Sequence, residues 1–167
     1  PFLQSGGAPG GVLVTKKCGE AIMKRSEINA IIREADDFIR AHGFHLPPFA
    51  HWTPEEWKTK GPEVREIVER KLGWDVTDFN LGEYHKTGLL LFTIRNGNVK
   101  DPQSKQYAEK VMMVDVDQIT PMHFHWNKME DIINRGGGQL VIEAHHGPAE
   151  VVRAQQIVKL HGPAAEQ

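Results

Sequence analysis

Cysteine is almost missing from this chain: Cys18 is the only one among 167 residues. A disulfide framework within the chain is therefore excluded, and a reducing, cytoplasmic setting is expected. Long apolar runs are missing too. Nothing approaches the roughly 18 residues needed to cross a bilayer, and Gly11-Val-Leu-Val14 is too short for a signal-peptide core. No charge of one sign dominates, since 20 basic residues stand against 22 acidic ones for a net charge of -2. Such a surface offers phosphate backbones no attractive field, so neither nucleic acid nor membrane is expected as a partner, and a small neutral substrate fits better.

What is present suits one domain with a real core, because at this length folding hides roughly 70% of the extended chain's surface. Residues 1–22 hold five glycines and two prolines without periodicity, and read as a leader. Met23 precedes a clear helix start, so the natural polypeptide is expected to begin there; the other reading is an arm that docks on a neighbour. Residues 23–73 read as a helical segment packing on a sheet. Ser26 is an N-cap candidate, Ile28, Ile31, Ile32, Ala35, Phe38 and Ile39 recur on one helical face, and Gly43 ends the helix. The aromatic and proline-rich run Phe44 to Trp52 is expected to lie extended over the sheet. Its His45 and His51 read as surface or hydrogen-bonded side chains, since neither has a chelating spacing from another donor. Thr53-Pro54-Glu55-Glu56 is a capping box, and Pro62 opens a further helix running through Leu72 to Gly73.

From Trp74 the period changes to that of strands. Trp74 to Asn80 alternates, Gly88 to Arg95 is β-favourable, Asn96-Gly97 is a hairpin signal, and Tyr107 to Val116 reads as another strand. Asp117-Gln118 then turns the chain into Ile119 to His125. On such a strand His123 and His125 present two imidazoles to one face, while Glu130 can return to the same interior after a bend. Two ring nitrogens and a carboxylate make a mixed site for a divalent ion with coordination positions open. The plainer alternative is two hydrogen-bonded histidines and no metal. Gly136-Gly137-Gly138 closes the segment before the apolar Leu140-Val-Ile-Glu143 resumes a strand. Glu143 reads as an edge residue sooner than as a base. Met112 and Met113 read as core, and Lys110 stands between two readings, a solvent-facing lysine or an inward cationic donor to a sugar oxygen.

The pattern His123-x-His125-x4-Glu130-x6-Gly137 resembles the first metal motif of the cupin superfamily. The stretches Met23 to Ile28, Pro47 to Trp52, Pro121 to Trp126 and Asp131 to Gly138 resemble the bacterial D-lyxose isomerases over residues 23–144. The resemblance implies a mainly β fold with N-terminal helices, a cupin-like jelly-roll β-barrel over residues 74–144. It implies a metal-dependent interconversion of D-lyxose and D-xylulose through an enediol, with His123, His125 and Glu130 as ligands, Lys110 and Glu130 as catalytic candidates, and manganese as the ion; cobalt, iron or zinc would also suit the donors. The family's second motif, with its third histidine, has no counterpart here, so the barrel is expected to be incomplete and residues 145–167 an atypical tail. His145, His146 or His161 could supply the missing imidazole. Open strand edges invite association, and a homodimer is expected. The alternatives to an enzyme are a metal- or sugar-binding cupin fragment without turnover, or a structural fragment without metal.

Overall fold

The computed structural model describes residues 23–98, 101–123 and 130–143. Helix α1 spans Arg25–Ala41. It begins two residues earlier than Ser26 would set it: Lys24 is the N-cap, and its backbone N–H donates to the Glu27 carboxylate at 2.6 Å. Ser26 is thus inside the first turn, where the carboxylate three residues past the cap already satisfies a terminal donor. At the other end Gly43, at φ 74, donates to Arg40 O and Phe44 donates to Ile39 O. That paired reversal needs a left-handed residue, which glycine supplies at no steric cost.

The run after α1 is not fully extended. Pro48–Ala50 forms a 3₁₀ turn, which sets the Phe49 ring on Phe92 at 5.3 Å between centroids and lets Trp74 Nε1 donate to Ala50 O at 2.9 Å. Thr53 caps helix α2, Pro54–Lys58, with both bonds of the capping box made. A 3₁₀ turn at Pro62–Val64 leads into helix α3, Arg65–Glu69. This last helix stops short of Leu72, because Lys71 takes a positive φ of 54 and the chain is already in a strand at Gly73.

Strands β1 (Gly73–Thr77), β2 (Leu89–Arg95) and β3 (Glu109–Met113) form an antiparallel sheet in the order β1-β2-β3. Among the described residues these three strands do not close a barrel. The expected hairpin at Asn96-Gly97 is not one: β3 begins only at Glu109. Asn96 Nδ2 instead donates to Arg70 O, and Asn98 N donates to Ser104 Oγ, so the dipeptide opens a long loop anchored on α3. Lys105 fixes that loop further through an ion pair of 2.6 Å with Glu66.

Register assigns the faces. Trp74, Phe92 and Val111 lie opposite one another, as do Val76, Leu90 and Met113. These side chains pack against Ile28, Ala35 and Ile39 of α1, which makes the principal core. The reverse face carries Asp75, Leu91 and Met112 in one row and Gly73, Thr93 and Lys110 in the next.

The strand expected over Ile119 to His125 is not formed in its described part. Only Ile119 pairs, through a single parallel bridge to Thr87, and residues 124–129 lie outside the described residues. Residues 140–143 form no strand either, and Val141 is 89% exposed. The expectations for residues 1–22 and 145–167 fall outside the described residues.

Candidate functional site

The site is built on the reverse face of the sheet. Side chains two apart on a strand share a face, so Lys110 shares one with Met112, and Met112 packs with Leu89 and Val114 in a second apolar cluster. Phe79, Leu91, Ile132 and Leu140 pack against this cluster. Ile132 is two residues beyond Glu130, so the segment that starts at Glu130 crosses the face that holds Lys110. Glu130 and Lys110 are both half-buried.

Upstream, Gln118 straps the histidine segment to the preceding loop. Its side-chain amide donates to Tyr84 O, its oxygen accepts from Asp115 N at 2.9 Å, and the side chain is buried. Ile119 N donates to Lys86 O and Gly88 N donates to Ile119 O, so two backbone bonds continue the strap. A Cβ at Gly88 would fall 2.7 Å from the Gln118 amide nitrogen and 2.3 Å from Tyr84 O. Only glycine lets the chain pass so close. Burial also pushes the Tyr84 phenol well above its ordinary range, so it remains neutral beside the strap.

His123 follows five residues after Gln118. Its Nδ1 lies 3.0 Å from Pro121 O. A carbonyl can only accept, so Nδ1 carries the proton and the ring lone pair is on Nε2, the tautomer a metal takes. His125 lies outside the described residues. Among the described residues no group of three His, Cys, Asp or Glu side chains converges in a metal-holding cluster. Downstream of Glu130 the Arg-Gly-Gly-Gly run docks on the end of α1. Asn134 Nδ2 donates to Gly138 O, Gly136 N donates to Asn134 Oδ1, Arg135 lies 5.5 Å over the Phe44 ring, and a Cβ on Gly136 would meet His42 at 2.8 Å.

The remaining candidates are placed more simply. His51 Nε2 is 2.9 Å from Asp36 Oδ1 and His45 is exposed, in keeping with surface and hydrogen-bonded roles. Glu143 is exposed. His145, His146 and His161 lie outside the described residues. One residue was not singled out by spacing: Asp75, half-buried in β1 among Trp74, Val76 and Thr77. Burial pushes its carboxyl above the ordinary range, and the positive charge of Lys110 pulls against that. Its signal in the sequence was a carboxylate inside a strand otherwise fit for a core.

Comparison with known proteins bears on this arrangement. The family model of D-lyxose isomerase matches residues 23–163. It begins at Met23, as the resemblance placed it, and continues beyond residue 144. A D-lyxose/D-mannose isomerase of Escherichia coli O157:H7 is 51% identical over 123 residues, covering 72% of this chain and 54% of the relative. Another, from Serratia proteamaculans, is 48% identical over 126 residues, covering 74% and 55%. The chain thus spans about half the length of the curated relatives it matches.

Proposed function

The chain belongs to the D-lyxose isomerase family, and from that premise we propose that it is a metal-dependent aldose–ketose isomerase acting on D-lyxose, with D-xylulose as product. The observation that carries the reading is the shared face: the segment from Glu130 packs through Ile132 and Leu140 onto the side of the sheet that holds Lys110. His123, with Nδ1 committed to Pro121 O, fits a ligand role, and His125 and Glu130 complete a donor set suited to manganese, cobalt, iron or zinc, with manganese preferred. When bound, such an ion supplies Lewis acidity to the sugar carbonyl and its neighbouring hydroxyl and stabilises enediolate charge.

The chain's own groups do the rest. Lys110, on the same face, donates from its ammonium to a sugar oxygen and holds developing negative charge. Glu130 combines ligation with proton handling at its carboxylate. Leu89, Leu91 and Met112 supply an apolar floor that excludes water from one side of the sugar and strengthens those interactions. The sheet itself we read as one wall of a cupin-like jelly-roll barrel. A cytoplasmic homodimer is the assembly that fits a single cysteine and the exposed apolar Ile119 and Met122.

Isomerisation of D-lyxose in the presence of manganese tests the proposal, with the chain beside its H123A variant. The variant is expected to lose at least roughly a hundredfold in turnover. Equal turnover in both would remove the catalytic claim. A second reading, a metal- or sugar-binding unit without turnover, is favoured by a sheet of three strands that does not close a barrel among the described residues. Calorimetry with metal and sugar separates the two, since that reading requires binding heat without product.

A further inference from the structure

The three strands carry four charged residues among otherwise apolar and neutral ones: Asp75, Arg95, Glu109 and Lys110. Arg95 and Glu109 pair with each other at the end of the sheet. Asp75 and Lys110 stand on the reverse face, in adjacent rows of the register and on the two outer strands. What separates them matters. Lys110 is in register with Thr93 and Thr93 with Gly73, so the lane running from the lysine toward β1 holds a small side chain and then none. A Cβ at Gly73 would have no heavy atom within 4 Å. The lysine stem can therefore lie across Thr93, itself 5% exposed, toward the strand on which Asp75 stands one row away. Bulky residues in that lane would hold the two charges apart.

We propose that Asp75 is a positioning residue for Lys110, an anionic anchor that lays the lysine across the sheet and aims its ammonium at the substrate side of the face. The inference rests on the reading of Lys110 as the substrate-facing cation. Two observations support it beyond register. The field of Lys110 is felt at Asp75, opposing the rise that burial causes there. A half-buried carboxylate in a β-sheet is also costly unless a partner offsets its desolvation. Such a pairing fixes a flexible side chain with four rotatable bonds in one direction, which a surface lysine lacks.

The test reads Asp75 directly. The titration of its carboxyl carbon is followed by NMR in the wild-type chain, K110M and K110R. Loss of the cation is expected to raise the Asp75 midpoint by on the order of half a pH unit, a modest fraction of the shift a close opposite charge can cause. Arginine is expected to restore it. In parallel, D75N is expected to lower kcat for D-lyxose by roughly tenfold or more, with KM within about twofold, as a lost supporting contact does. An Asp75 midpoint indifferent to K110M overturns the inference, whatever the turnover. A midpoint that moves while K110M isomerises D-lyxose like the wild type upholds the pair and removes instead the role given to Lys110 above.

Discussion

The two faces of one small sheet have been put to opposite uses. On the α1 side the buried positions are apolar: Phe92 and Leu90 are fully buried, Val111 nearly so, and Ile28, Ala35 and Ile39 of the helix close over them. On the reverse side the same strands present Asp75, Thr93 and Lys110 among Leu89, Leu91 and Met112, and the cover is a segment without regular structure. The difference teaches where each kind of residue can be afforded. Close packing against a capped helix gives one face its stability, and that surplus lets the other carry charges that cost stability where they stand.

The comparison can be broken first at its strongest point. F92A should cost about 3–5 kcal/mol, because the ring is fully buried between Phe49 and Trp74 and leaves a cavity that α1 cannot collapse into; urea unfolding reads this. M112A, on the reverse face, should cost less, about 2 kcal/mol, at the low end for a buried methionine. A larger loss at Met112 than at Phe92 would invert the assignment of the faces. G136A should cost about 1–2 kcal/mol, since φ of 144 strains any side chain there and the new methyl meets the His42 ring. Because it loosens the segment that follows Glu130, it should also weaken metal binding more than its stability loss explains.

The smallest effect has the opposite sign. Burial raises the folded-state value of Asp75 above its unfolded value, so the folded chain holds that proton more tightly. Stability from this group is then present at low pH and lost as pH rises through the window between the two values. D75N has no such loss. Calorimetric scans above that window should show the variant melting about 1–3 °C higher than wild type, and equal to it or lower at acid pH. A half-buried carboxylate whose removal stabilises the fold while slowing turnover is placed for chemistry.

Much of the scaffold was legible because it depends on local rules. The three- and four-residue spacing of Ile28, Ile31, Ala35, Phe38 and Ile39, the Thr53-Pro54-Glu56 cap and the β-favourable run before Arg95 all state their structure within a few residues. Two local signals were overruled by distant partners. Asn96-Gly97 reads as a hairpin, yet the Asn96 side chain is taken by Arg70 O across 26 positions. Residues 140–143 read as a strand, but Leu140 turns into the reverse-face cluster while Val141 is left to solvent. The histidine and glutamate spacing was plain in the sequence, whereas Asp75 was not. Its meaning depends on register across three strands, and alternation along one strand cannot supply that.

The central claim is that the stretch proposed to hold a metal and Lys110 share the face turned away from α1. Manganese relaxation enhancement of methyl resonances tests it most directly, since broadening falls steeply with distance from the ion. The account predicts strongest broadening at Leu89, Leu91, Thr93 and Met112, and weakest at Ile28, Ala35 and Ile39. Broadening centred on the α1 residues, or none with manganese in excess, would contradict it.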